Sequence, residues 1–320
     1  MDRLQLIYGN NALRISEKAK KLAEDYVGEA DDFSIVALNY RESTIEQIIE
    51  EAQTLPFLSD RKAILVDDAY SFTGAKVRAE VDHDIDLLVE YINNKNDDAL
   101  IIFKVYHEQL DNRKKITKLL KKKGAITEMA EMTENEVRSF INATAEESGV
   151  EVDPKALNLF IARVGIKYDQ VRNELDKLLL YTDGKITEEA VEEIVSVSLE
   201  ENIFRLTDLI LSGQKAAAVK LLRALMLQNE EPMQLLHLII NQLRLLYQVK
   251  LMMQQGYQGD NIAKALKVHP YRVKLAAREI GKYRQDELEQ KMVKCRDIDY
   301  KFKSSYLNRQ SLFELFILEI

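Results

Sequence analysis

Two short stretches carry residue types that could handle phosphate and metal. The first is Gly9-Asn10-Asn11-Ala12-Leu13-Arg14-Ile15-Ser16, which follows an apolar run. A phosphate loop of pattern G-x-x-x-x-G-K-[ST] wraps a polyphosphate in backbone N–H groups, neutralises it with the lysine and holds magnesium through the hydroxyl. Gly9 and Ser16 keep that spacing, but Arg14 replaces the second glycine and Ile15 the lysine. A side chain fills the loop and the phosphate cation is gone, so ordinary P-loop ATP binding is not expected. The second stretch, Ile64-Leu65-Val66-Asp67-Asp68, ends an apolar run on two carboxylates. In a P-loop ATPase such a pair holds magnesium and polarises water. Without a phosphate site it reads as two exposed acids closing a buried strand, and a two-metal site would need further clustered carboxylates. A degenerate P-loop enzyme using Asp67 and Asp68 with a metal is the catalytic alternative. His83, His107, His237 and His269 are scattered without ligand spacing, and His237, in an otherwise apolar helix, reads as a core or interface residue. G-x-S-x-G and H-E-x-x-H are absent. The single cysteine, Cys295, can form neither an intrachain disulfide nor a Cys-based zinc site. No catalytic, cofactor-binding or metal-binding residue is assigned.

Binding offers more. In Ala52-Gln53-Thr54-Leu55-Pro56-Phe57-Leu58-Ser59-Asp60, three apolar side chains surround a proline that ends a helix and fixes a turn. Leu55, Phe57 and Leu58 either pack on their own domain or insert into a partner's hydrophobic pocket, where a few such anchors carry most of the binding energy. The stretch 111–123 is strongly cationic. Ile116, Leu119 and Leu120 supply its buried stripe, while Lys114, Lys115, Lys118 and Lys122 are candidate DNA phosphate contacts on an otherwise solvated face. Residues 261–273 look superficially like a helix-turn-helix, but Lys267 stands where a glycine helps the turn, and a plain helical hairpin fits as well. Sequence-selective duplex binding through Tyr271 and Arg272 is the DNA-binding alternative.

The elements that must position these residues follow from periodicity. Leu4–Tyr8, Phe33–Leu38, Ala63–Val66, Ala99–Val105 and Ala125–Met129 read as strands, with helices near 11–27, 43–53, 84–94 and 111–123. Strands alternating with helices imply a parallel sheet. Ser43 with Glu46, and Thr133 with Glu136, read as capping boxes, and Asp153-Pro154 as an N-cap with proline at the first helical position. After Met132 the strand signal disappears. Gly149, Gly165 and Gly184 mark helix ends in a small all-helical domain of three or four helices. Farther on, Ala218, Leu221, Leu222 and Leu225 form one helical stripe, and Leu236, Ile240, Leu243 and Tyr247 another. Leu235, Ile239 and Leu246 widen the second, as in a central helix or a subunit interface, and Pro232 is placed to open it. The fold class is therefore α/β plus all-α, in three domains spanning 1–132, 133–206 and 207–320.

Composition is consistent with this division. The 320 residues are 46% apolar and 31% charged, as in a folded protein, and the longest unbroken apolar run is Ala99–Phe103. A bilayer crossing needs about 20 apolar residues, so no membrane segment is expected. Met1-Asp2-Arg3 leads into a strand rather than a long apolar stretch, so a secretory signal is not expected and a cytoplasmic location is. The net charge of −8 splits into +6 for residues 207–320 and −14 for the rest. The basic end is either a set of solvated faces or a surface for acidic partners or DNA.

Four segments in this order resemble, essentially end to end, the delta subunit of the bacterial DNA polymerase III clamp loader in its low-GC Gram-positive form. They are Ala52 to Arg61, Asn173-Glu174-Leu175-Asp176-Lys177-Leu178, His269-Pro270-Tyr271-Arg272-Val273-Lys274-Leu275-Ala276, and Leu312-Phe313-Glu314-Leu315-Phe316. The resemblance implies an AAA+-like N-terminal domain with a degenerate P-loop, a small helical lid domain and a helical C-terminal collar. It also implies a non-catalytic chain within a DNA-directed DNA polymerase (nucleotidyltransferase) holoenzyme. ATP would be bound by neighbouring motor subunits, gamma or tau, with delta-prime as a further partner and no cofactor of its own. The 52–60 turn would bind the sliding clamp, the beta subunit, through Leu55, Pro56 and Phe57, with Leu58 contributing. Phe57 matches best, since the family varies between a Leu-Phe and a Pro-Phe pair at this place. Holding the ring open would let primed DNA enter.

Overall fold

The computed structural model describes residues 3–28, 34–54, 61–75, 77, 81–93, 99–304 and 306–320. The chain divides into two compact units, Met1–Met132 and Thr133–Ile320. In the first, β1 (Leu4–Gly9) leads into α1 (Ala12–Val27), β2 (Ile35–Asn39), α2 (Ile45–Gln53) and β3 (Lys62–Asp67). A 3-10 turn at Tyr70–Phe72 follows, then α3 (Asp86–Asn93), β4 (Ala99–Tyr106), α4 (Lys115–Lys122) and β5 (Ile126–Met129). The strands form a five-stranded sheet in the order β2-β3-β4-β1-β5, parallel throughout. This is the parallel α/β class expected from the sequence, in the AAA+-like form that the family resemblance implies.

Burial on both faces explains why these strands are legible as apolar runs. Successive side chains point to opposite sides of the sheet. Leu6, Ile64, Ile101 and Phe103 meet Ile45, Ile48, Leu88, Ile116 and Leu120 of α2, α3 and α4 on one face. Ile7, Ala63, Leu100 and Ile102 meet Ile15, Ala19, Leu22 and Ala23 of α1 on the other. Each such Leu or Ile contributes about 2 kcal/mol relative to exposure.

Local chemistry sets the boundaries. The cap of α2 is Thr44 with Gln47, not Ser43 with Glu46. Ser43 is spent closing the turn after β2, where its N–H donates to the Asn39 carbonyl at 3.0 Å, so the helix starts one residue later. Helix α4 also starts later than expected, because Arg113 and Lys114 turn back on Asp111. β1 ends on Gly9, which lies beside Met129 of β5 in the register. A Cβ on Gly9 would sit 2.3 Å from the Met129 carbonyl oxygen.

The second unit opens with α5 (Glu134–Glu147), capped by Thr133 and Glu136 as expected. β6 (Glu151–Val152), α6 (Pro154–Val164), α7 (Tyr168–Tyr181), β7 (Lys185–Ile186) and α8 (Glu188–Ile194) follow. This part is not all-helical: β6 and β7 form a parallel ladder that pairs Glu151 with Lys185 and Val152 with Ile186. Two residues per strand are too few to leave a period in the sequence. The ladder sets Asp153, the N-cap of α6, near Thr187, the N-cap of α8. Positive φ at Gly165 (+80°), the C-cap of α6, permits the reversal there.

The remainder is helical: α9 (Leu199–Leu211), α10 (Lys215–Leu227), α11 (Pro232–Gln254), α12 (Gly259–Leu266), α13 (Pro270–Glu279), α14 (Gln285–Ser304) and α15 (Arg309–Glu319). Residue 206 lies within α9. Helix α11 is the centre of this part: Leu235, Leu236, Ile239, Leu243, Leu246 and Val249 are buried, and α9, α13, α14 and α15 all pack on it. His237 is exposed, not a core residue. With Asn241 and Arg244 it forms the narrow solvent face that the wide apolar stripe leaves over. Several of the basic side chains of this part bond within it. Lys215 and Lys294 donate to the carbonyls of Leu318 and Glu319 at 2.5 and 2.7 Å, and Lys291 to that of Ile320. Three ammonium groups thus satisfy the last turn of α15 and oppose the negative end of its dipole. Arg223 holds α10 to Glu314 of α15 through a bidentate pair at 2.8 and 2.6 Å.

Glu201, in the first turn of α9, is a half-buried acid. Burial, and then the neighbouring Glu200 charge, push its carboxyl up to about 7. Two predictions follow from these packing features. Gly9→Ala will destabilise the first unit by about 3 kcal/mol, measured by urea unfolding. Glu201 favours folding while protonated and loses that contribution as pH rises from the unfolded value of 4.5 through about 7. Glu201→Gln will therefore be more stable than the parent by about 2 kcal/mol at pH 8. The gain should disappear below about pH 4 in thermal melts.

Candidate functional site

Ligands of open parallel sheets bind outside the carboxyl ends of the strands, where the strand order reverses. In this sheet that place is beside β1, between β4 and β5. The loop after β1 is filled by its own side chains. Asn11 caps α1, its Oδ1 accepting from the Arg14 N–H at 2.8 Å. The Arg14 guanidinium donates to the Ala130 carbonyl just beyond β5. Ile15, at the place of the phosphate lysine, is fully buried among Ile7, Ala19, Leu22 and Leu100. Of the two residues kept from a phosphate loop, Gly9 and Ser16, the glycine is demanded by the contact with Met129.

Asp67 and Asp68 are not two free acids at a strand end. Asp67 Oδ1 lies 2.9 Å from Lys104 Nζ and accepts from the Tyr106 hydroxyl, both from the end of β4. Burial alone would raise the Asp67 carboxyl, but the hydrogen bonds from Tyr106 and Lys104 outweigh it and hold it below its ordinary value. Burial and the same carboxylate push the Tyr106 hydroxyl up. Asp68 takes a left-handed conformation (φ +55°) that turns its carboxylate to Arg41, with Nε 2.5 Å from Oδ2. Adjacent in sequence, the two acids serve different cations and do not converge on a metal. Among the described residues no group of three or more His, Cys, Asp or Glu could hold one. Lys104 and Tyr106 carried a faint signal in the sequence, as polar residues two apart at the end of an apolar run.

His83 lies outside this crevice, stacked on Tyr40 with ring centroids 3.9 Å apart, and burial holds its imidazole below the ordinary value. On α4, Lys115, Lys118 and Lys122 are exposed and share a face. Lys114 is anchored inward, its ammonium donating to the Ser71 carbonyl, and Arg113 is tied bidentately to Asp111 at 2.9 and 2.8 Å. Leu55, Pro56, Phe57 and Leu58 lie outside the described residues. The hairpin at 261–273 consists of α12 and α13, with Lys267 in the left-handed conformation (φ +54°) and His269 Nδ1 accepting from the Tyr271 N–H at 3.2 Å. The side chain stands where glycine would be easier, as the sequence suggested.

Fold and site together define an AAA+-like module whose phosphate loop is filled by its own side chains, followed by a mainly helical unit. Residues 5–130 match the family model described as DNA polymerase III, delta subunit, and residues 200–320 match that of its C-terminal domain. The DNA polymerase III subunit delta of Bacillus subtilis is 31% identical over 317 residues, covering 98% of this chain and 91% of that protein. A probable delta subunit of Aquifex aeolicus is 24% identical over 161 residues, 48% of this chain and 46% of that one. The solved structure of the B. subtilis DNA clamp loader delta protein superposes with a TM-score of 0.71 at 30% identity, covering 99% of this chain and 94% of that one. The chain belongs to the family of DNA polymerase III delta subunits, the clamp-loader subunits of DNA replication.

The Asp67 network can be tested by stability. A carboxyl held below its ordinary value contributes stability above its unfolded pKa, and that contribution is lost as pH falls through the folded one. Half-exposed, Asp67 is screened by solvent. Asp67→Asn will therefore cost only about 0.5–1 kcal/mol at pH 7, and the difference in urea midpoint will shrink toward zero as pH falls below 4.

Proposed function

We propose that this subunit binds the sliding clamp through Leu55, Pro56 and Phe57, with Leu58 contributing, and favours the open ring without hydrolysing ATP itself. The end-to-end family match carries this reading. The place that motif occupies in the family is the 52–60 segment of this chain, where apolar side chains flank a proline. A AAA+-like module whose lysine position is a core isoleucine and whose strand-end carboxylate is engaged by Lys104 is suited to a mechanical rather than a hydrolytic part.

Opening a ring requires tighter binding to the open than to the closed state, since a ligand with equal affinity for both shifts nothing. The apolar residues supply attachment, and contacts beside the ring interface supply the difference. The second unit divides into a lid, 133–206, and a collar, 207–320, with α9 running from one into the other. The collar meets the other loader subunits, gamma or tau and delta-prime. Primed DNA passes the exposed lysines Lys115, Lys118 and Lys122 of α4, and Lys114, whose ammonium bonds the Ser71 carbonyl, would reach phosphate only by leaving that bond. Among the described residues no helix is long and apolar enough to cross a membrane. The place of this reading is the cytoplasm, where the replication machinery works.

Leu55→Ala combined with Phe57→Ala will reduce clamp capture by about 100-fold, the scale of two lost anchor side chains, while the thermal midpoint is kept. Capture at the parent level by a folded double variant would sink the site assignment.

A further inference from the structure

The chain leaves α2 at Thr54 and returns at Arg61 and Lys62, and the two ends of this excursion are joined by one buried charge. Lys62, the first residue of β3, is 5% exposed. Its ammonium donates to the Glu51 carbonyl at 3.1 Å, to Thr54 Oγ1 at 2.6 Å and to the Glu51 carboxylate. All three acceptors belong to the last turn of α2 and its C-cap, and all three N–H bonds of the ammonium are used. Thr54 Oγ1 itself donates to the Glu51 carbonyl at 2.8 Å, so the node is closed. Next to it, the Arg61 guanidinium lies 5.3 Å from the centre of the Tyr26 ring and donates to the Tyr26 carbonyl at 3.2 Å, tying the same return point to the end of α1.

Lysine is among the residues least often buried, and an unpaired buried ammonium is costly. Burial at this edge of the sheet needs no charge, since an unbranched apolar side chain of the same length would fill the space. What only an ammonium can do is bind three oxygens of the preceding helix end at once. We propose that Lys62 is a positioning residue: it closes the base of the 55–60 segment and so presets the spacing of Thr54 and Arg61 from which the clamp contact is made. The proposal rests on the reading of Leu55 to Leu58 as that contact. A fixed separation of Thr54 and Lys62 lowers the loop-closure cost of binding, and pre-organisation of this kind strengthens binding.

The test uses the full chain and purified bacterial sliding clamp, with binding by surface plasmon resonance, thermal melting, and amide hydrogen exchange across residues 54–62. Lys62→Met is expected to weaken clamp binding about ten-fold and to speed exchange across 54–62, with exchange in α1 and β4 unchanged. Thr54→Val should give a smaller loss in the same direction. Adding it to Lys62→Met should change nothing further, because both act on one node. Parent-level affinity and exchange in a folded Lys62→Met chain, beside lost binding in the Leu55→Ala, Phe57→Ala chain, would overturn the proposal. If that double variant binds normally, the clamp-contact reading falls instead. Exchange then decides alone: unchanged rates in Lys62→Met overturn the positioning role, and faster rates retain it for whichever partner the segment meets. Should Lys62→Met not fold, Thr54→Val carries the same comparison, and its failure to alter either readout overturns the proposal.

Discussion

The first unit depends on how closely β1 and β5 approach at their carboxyl ends. Gly9 faces the Met129 carbonyl with no room for a methyl group. That approach brings the residues after β5 within reach of α1, where the Arg14 guanidinium meets the Ala130 carbonyl. With Arg14 directed there and α1 lying on the sheet, Ile15 is in the core. The crevice at the strand ends is therefore bounded by side chains bonded to their own domain, and the Asp67–Lys104–Tyr106 cluster continues the same pattern from β3 to β4.

Much of this was legible in the sequence because parallel strands buried on both faces read as unbroken apolar runs, as in Ala99 to Phe103. Where two readings fitted the same letters, local sequence could not choose. Ser43 with Glu46 and Thr44 with Gln47 both satisfy a capping box, and the turn on Asn39 decides between them. The β6–β7 ladder and the Asp67–Lys104 pair join residues far apart in the chain and leave no periodic trace. Of the core and interface readings of His237, the core one fails, because α11 keeps a thin exposed line through His237, Asn241 and Arg244. The family resemblance was carried by segments that the structure distributes across both units, including α7 and the start of α13.

The charge asymmetry takes on a more local meaning. Lys215, Lys291 and Lys294 bond the carbonyl end of α15, and Arg223 is fixed to Glu314. These four cations hold the final helix to its neighbours, and the three lysines keep their full charge while they do so. In the first unit, by contrast, Lys115, Lys118 and Lys122 project into solvent.

The buried Ile15 has a consequence for any attempt to endow this module with nucleotide chemistry. Writing the signature glycine and lysine into positions 14 and 15 would break the Arg14 tie to Ala130 and place an ammonium in an apolar core, at a cost of several kcal/mol. The two letters are a short mutational step away, yet the backbone that would make them useful is not. On this scaffold, gain of hydrolysis would require α1 to be reseated on the sheet before any phosphate could be held.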